Sequence, residues 1–213
     1  SYPMHVTLVA PWLASFDSQW LTQPGFPRPT PALDQWMRFA RPVGSRIAGS
    51  PATASLGFFG LADPEGEDAP LAALSYAGDG GDPGGACWVR IDPVHLRPDM
   101  AQLRLFAVPD ISLTEEQSES LGAIIRDALA DWGRLDLRHP ERWYLSLPER
   151  PAVRTTTLPA TLGVDMPQAL PAGEAGGLWR ARLNEIQMRL FDCPVNRQRG
   201  EPGLPPINGV WLG

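Results

Sequence analysis

Lysine is absent from this chain. All 18 basic residues are arginine, a usage that fits a GC-rich genome, and it excludes both Schiff-base lysine chemistry and a phosphate-gripping P-loop lysine. Histidine is nearly as scarce. The three that occur are too scattered to supply the converging imidazoles and carboxylates of a two-metal site. Two cysteines, Cys87 and Cys193, neither frame a zinc site by themselves nor signal a disulfide scaffold, and both read as small buried residues. No apolar run approaches the roughly 20 residues of a membrane span. Residues 6–13 are apolar but lack the basic flank and length of a signal peptide. Ser1 in place of Met reads as a processed or engineered start. Excess positive charge is missing too: a net charge of −6 and a pI near 5 argue against nucleic acid and anionic membranes as partners. No nucleophile elbow, dinucleotide fingerprint or Walker loop is present. The expectation is a cytoplasmic protein.

What is present is ordinary in bulk and unusual in distribution. With 213 residues, 43% hydrophobic and 20% charged, the chain fits one domain, or one with a substantial insertion, and can bury a real core. Its 24 prolines and 21 glycines call for many short elements joined by turns. Asp, Glu, Gly and Pro crowd together at 62–70 and 78–86, which read as mobile surface loops. The glycine-rich Gly78–Gly85 carries Asp79 and Asp82, whose charge would repel a phosphate, so a flexible hairpin is expected there.

Residues 5–10 read as a buried opening strand, and Leu33, Trp36, Met37 and Ala40 as a short helix ended by Pro42. Strands are expected at 87–92 and 102–108. A helix over 115–132 is announced by Thr114 and Gln117 in capping-box spacing, by Glu115 and Glu116 in its first turn, and by an apolar face from Leu121 to Trp132 before Gly133. Two strands follow near 134–138 and 142–147. A last helix spans about 176–191, with Trp179, Leu183, Ile186 and Leu190 inward and Pro194 closing it. The order predicts an α+β fold, a mainly antiparallel or mixed sheet covered by two longer helices. It divides into an irregular Pro/Gly-rich part over 1–86 and an α+β unit over 87–213, packed as one globule.

Few residues carry recognisable chemistry. Asp92-Pro93-Val94-His95 follows a strand containing Arg90. An Asp near a His can orient a base or hold a metal, but nothing nearby completes a ligand set, so hydrogen bonding is the expected role. Arg182, Glu185 and Arg189 read as a salt-bridged helix face, and His139-Pro140-Glu141-Arg142 as a turn between strands. The densest stretch is Pro194-Val195-Asn196-Arg197-Gln198-Arg199, followed by Gly203 to Trp211 with Pro205, Pro206 and Asn208. Fixed φ at proline and free φ at glycine give a shaped loop, and its guanidiniums suit a phosphate or carboxylate.

This loop resembles the His-Pro-Val-Asn-x-x-Arg-x-x-x-Gly-x-x-Pro-Ala-Asn-x-Ile-Trp segment of the archaeal-type cofactor-independent phosphoglycerate mutases. The order of elements over roughly 87–213 is also similar to that family, whose inserted domain sits within a phosphatase-like metal-binding core. Arg90-Ile91-Asp92-Pro93-Val94 stands where the family has Arg-x-Asn-Leu-Val, and Leu158 to Gly163 where it has Pro-His-Asp-x-x-Gly. The chain further resembles an uncharacterised bacterial family whose members are labelled as such mutases or as regulatory proteins.

Departures from the pattern fall on the metal machinery. The family's metal-binding Asp-Gly is replaced by Pro11-Trp12, its His before Pro-Val-Asn by Cys193, and its Pro-His-Asp by Pro159-Ala160. No early Thr-Asn-Ser-like loop supplies a nucleophile, and the later ligands would lie beyond Gly213. The resemblance therefore implies a mutase-like protein without the mutase reaction, keeping a site for a small phosphorylated or carboxylated metabolite. Arg90, Asp92, Asn196, Arg199 and Asn208 are its expected residues. No cofactor is evident; Mn²⁺ or Mg²⁺ enters only if the chain is an active mutase, an isomerase, whose other parts lie outside this sequence. A third expectation is a regulatory module working through protein contacts. Eight tryptophans exceed what the core requires, with Trp12, Trp20 and Trp36 the candidates for an interface and a homodimer its simplest form.

Overall fold

The computed structural model describes Leu56 and residues 70–99, 102–106, 111–161 and 169–213. The opening strand, the short helix at 33–40 and the three early tryptophans lie outside the described residues. The chain divides into two compact units, Ser1–Ala69 and Pro70–Gly213; the second is described below.

Its elements run α1 (Leu71–Gly78), β1 (Cys87–Asp99), β2 (Gln102–Phe106), α2 (Glu115–Ala128), β3 (Arg134–His139), β4 (Arg142–Leu147), a 3₁₀ turn (Leu158–Thr161), α3 (Gly176–Phe191), α4 (Pro194–Gly200) and β5 (Gly209–Leu212). The fold is α+β, and among the described residues every strand pairing is antiparallel. The order is β2-β1-β4-β3, with β5 also on β1. Strand β1 continues well past Pro93, where the sequence pointed to a stop. A proline cannot donate to a ladder, yet here it costs nothing. Pairing with β4 ends at Ile91, and toward β5 Arg90 and Gly213 exchange both backbone bonds, so in the alternation of an antiparallel ladder Pro93 opposite Val210 is a non-hydrogen-bonded pair.

Period-two alternation separates the two sheet faces. Val89, Ile91, Leu135, Trp143, Leu145 and Leu147 face α2 and α3 and form the core with Leu121, Ile125, Trp179, Ile186 and Leu190. Each large aliphatic side chain so buried contributes about 1.5–3 kcal/mol. The Trp143 indole donates to Ser118 Oγ at 2.9 Å, so α2 is held to β4 by a polar bond inside the apolar layer. Two glycines set the spacing. A Cβ on Gly122 would lie 2.4 Å from Leu137, and one on Gly133 2.0 Å from the Ser146 carbonyl oxygen.

Helix α2 starts as its capping box directs: Thr114 Oγ1 accepts from the Gln117 N–H at 3.1 Å, and Gln117 Oε1 accepts from the Thr114 N–H at 3.4 Å. It ends at Ala128, four residues before the expected end, because the chain turns through Leu129–Gly133 to enter β3. Pro194 does not close a helix into a loop. It is the first residue of α4, where its missing N–H has no intrahelical partner to lose, and Cys193 is the N-cap. Among the described residues no helix is long and apolar enough to cross a membrane.

Candidate functional site

The other sheet face is polar. Arg90 and Asp92 on β1, Arg142 and Tyr144 on β4, and Asp136 and Arg138 on β3 stand on it, and the end of α1 packs over them with Ser75, Tyr76 and Asp79. The glycine-rich segment after α1 is not a loose hairpin. Asp79 takes Arg142 in a two-pronged ion pair at 2.6 and 2.8 Å, and the Tyr144 hydroxyl donates to it at 2.5 Å. The Trp88 indole donates to the Pro83 carbonyl at 2.8 Å, and Gly81 sits so close to the Tyr76 ring that any side chain there would collide with it.

One connected chain of bonds runs through this face. Arg90 Nε donates to Asp92 Oδ1 at 2.7 Å, and Arg90 Nη1 reaches Ser75 Oγ at 3.4 Å. Ser75 Oγ lies 2.8 Å from the Tyr144 oxygen. Since the single phenolic proton goes to Asp79, the serine must donate to the tyrosine. The order of donors is fixed from Arg90 through Ser75 and Tyr144 to Asp79. This has a chemical consequence: the Ser75 proton points at a phenol rather than at a base, and a guanidinium donates to its oxygen. Ser75 is thus not set up as a nucleophile.

A second cluster adjoins the first. Tyr76 donates to Asp136 at 2.6 Å and accepts from Arg138 at 2.9 Å. Its ring stacks on Trp88 with centroids 3.9 Å apart and meets Tyr144 edge-on at 5.2 Å.

The two carboxyls of the first chain are pushed opposite ways. The Arg142 bonds, with help from Tyr144, pull Asp79 down to about 2. Burial pushes the Asp92 carboxyl up, against the counter-pull of Arg90. Burial and the Asp79 bond likewise raise the Tyr144 phenol.

Of the five residues expected to form an anion site, Arg90 and Asp92 are on this face and are paired with each other. The other three are elsewhere, each bonded to parts of the chain beside it. Asn196 donates to the Leu190 and Ile207 carbonyls at 2.7 and 2.8 Å and accepts from the Ile207 N–H at 2.8 Å. Asn208 accepts from the Leu96 N–H at 2.7 Å and returns a bond to the Leu96 carbonyl at 2.8 Å, imitating one more strand residue beside β1. Arg199 is 1% exposed. It donates to the Pro205 carbonyl, the Ser112 carbonyl and Gln117 Oε1, tying α4 and its following loop to the cap of α2. Its Nη2 is buried without a hydrogen-bond partner, and burial lowers its pKa. The Asn-Arg-Asn pattern therefore holds the C-terminal segment in place, and the structure does not bring the five residues together.

Asp92 and His95 also fail to meet. Three apart on a strand, they fall on opposite faces, and the His95 ring bonds the Pro206 carbonyl at 2.8 Å. Among the described residues no group of three His, Cys, Asp or Glu is placed to hold a metal ion. Sequence reasoning missed Ser75, Tyr76, Asp79, Asp136, Arg138, Arg142 and Tyr144. The available signal was polar pairs two apart in three strands, Arg90/Asp92, Asp136/Arg138 and Arg142/Tyr144, each placing polar groups on one face.

Compared with family models, curated proteins and solved structures, the chain matches none.

Proposed function

We propose that this chain is a phosphoglycerate mutase-like protein that lacks the metal-dependent mutase machinery and binds a small phosphorylated or carboxylated metabolite on the polar sheet face, in the cytoplasm. The observation that carries this reading is the state of three arginines. The side chains of Arg90, Arg142 and Arg138 are 32%, 35% and 36% exposed. Each is oriented by a carboxylate on one side, yet Arg90 Nη2, Arg142 Nη1 and Arg138 Nη1 bond to none of the described residues.

Guanidiniums held in place by carboxylates, with donors to spare, suit an anion. Asn196, Arg199 and Asn208 have no part in the site in this reading. Their role is to complete the fold. No catalytic residue is assigned, in keeping with the ordered Ser75 proton.

A thermal-shift panel of phosphoglycerates, other phosphorylated and carboxylated metabolites, inorganic phosphate and Mn²⁺ tests it. Ligand that binds only the folded state raises stability as RT ln(1 + [L]/Kd), about 2.7 kcal/mol at a hundredfold excess over Kd. A shift with an anion, lost in Arg138→Gln, is expected. A shift with Mn²⁺ alone would favour the active mutase instead.

A second reading, a regulatory module acting through protein contacts, is favoured by Met188 and Phe191, which are 72% and 82% exposed on α3.

A further inference from the structure

Helix α3 is apolar on two faces, and the fold uses one. Trp179, Ile186 and Leu190 are buried in the core, with Leu183 packed against it. On the opposite side Gly177, Ala181, Asn184, Met188 and Phe191 are all exposed. They recur at steps of four, three, four and three, the seam spacing of paired helices. The seam is graded: its first half is small, Gly177 and Ala181, and its second half is large, Met188 and Phe191.

Among the described residues a Cβ built on Gly177 would meet nothing nearer than an Arg180 nitrogen at 3.9 Å, so their packing does not explain the glycine. On one flank of the seam the charged residues are already paired, while on the other Arg180 donates to the Pro171 carbonyl. Glu185 bonds Arg189 at 2.7 Å and lies 3.7 Å from Arg182, while Arg189 also pairs with Asp127 and Arg182 with Asp131. Covering the seam would strand none of these charges.

We propose that two copies of this chain associate through this seam, α3 against α3 and antiparallel, about a two-fold axis at Asn184. The grading argues for that occupant. Antiparallel pairing lays Phe191 over Gly177 of the partner subunit and Met188 over Ala181 of the partner subunit. Large meets small twice, as a self-complementary interface requires. Asn184 meets Asn184 of the partner subunit, where a side-chain amide pair fixes the register. Parallel pairing would crowd Phe191 against its copy at one end and leave a gap between two glycines at the other. The seam is about 21 Å long at about 1.5 Å per residue, short for a permanent interface, so association in the micromolar range is expected.

Sedimentation velocity on the full chain, over a concentration series through that range, tests the proposal. A monomer–dimer equilibrium is expected, abolished by Phe191→Asp and by Gly177→Trp. It is retained in Leu178→Asp, whose residue is 62% exposed but lies beside the seam. Circular dichroism checks that each variant is folded, and Phe191→Asp decides alone if the bulkier variant is not. For orientation, Ala181→Cys protein mixed with Met188→Cys protein and oxidised is expected to cross-link between the two variants, with little Ala181→Cys self-linkage. A monomer at every concentration overturns the proposal. So does a dimer indifferent to Phe191→Asp and Gly177→Trp, and dominant Ala181→Cys self-linkage overturns the antiparallel arrangement.

Discussion

Asp92 accepts a hydrogen bond from Arg90, two residues earlier on the same strand, and the two bear burial unequally: the carboxylate side chain is 10% exposed and the guanidinium 32%. The pair is therefore easier to break from one side than from the other. Arg90→Gln leaves a buried carboxylate without its counter-charge and is expected to cost about 3 kcal/mol. Asp92→Asn leaves a guanidinium that water reaches, and its cost at neutral pH is expected below about 1 kcal/mol. Because the folded-state Asp92 carboxyl titrates above its ordinary value, its contribution is complete at low pH and fades as pH rises through that folded value. Asp92→Asn should gain on the wild type over that rise. Urea melts of both variants across pH check the order and the trend, and equal costs would contradict it.

Asp79 has the opposite sign. Its carboxyl is pulled from 3.8 down to about 2, so its stabilisation is present above 3.8 and lost as pH falls toward 2. The bare shift corresponds to about 2 kcal/mol, and water around the 35%-exposed Arg142 reduces it. Acid unfolding of Asp79→Asn should show a shallower pH slope in that window than the wild type, with a lower starting stability. An unchanged slope would mean that the ion pair contributes nothing in solution.

The Tyr144 hydroxyl joins the two halves of the polar face. Tyr144→Phe removes the donor to Asp79 and the acceptor for Ser75 and is expected to cost about 1.5–3 kcal/mol, the range of bonds to charged groups. NMR titration of the Asp79 carboxyl carbon is expected to show its pKa raised in the variant. No change would contradict the donor order derived for this face.

Asn196→Ala removes three buried bonds that close the C-terminal segment on α3. A loss of about 3 kcal/mol is expected from the unpaired backbone groups. Asn208→Ala should lose less, because its two bonds to Leu96 are only partly buried. Neither change is expected to alter anion affinity, measured well below each variant's melting temperature.

Much of the fold was legible because its signals are local. Thr114 and Gln117 marked the start of α2, alternation marked β4, and the 176–191 periodicity matched α3 to the residue. Helix α1 was hidden: it has no side-chain cap, lies between glycine- and proline-rich stretches, and docks through partners about 60 residues away, such as Asp136. Helix α4 was hidden by Pro194, which reads equally as a stop and as a first residue. The loop arginine Arg199 looked like a ligand group because residue type shows charge and not direction. Its actual partners, Ser112 and Gln117, are 87 and 82 residues away. Arg90 was visible as a cation, while Ser75, 15 residues earlier on another element, was not.

Isothermal titration calorimetry with inorganic phosphate and 3-phosphoglycerate tests the anion-site reading most directly. The proteins to compare are the wild type, Arg138→Gln, the charge-neutral double variant Arg90→Gln/Asp92→Asn, and Arg199→Ala. The expected result is binding that weakens at least tenfold, about 1.4 kcal/mol, in Arg138→Gln and in the double variant, and that persists in folded Arg199→Ala. Binding lost only with Arg199, or no binding of either anion by the wild type, would contradict the assignment of the polar face as the site.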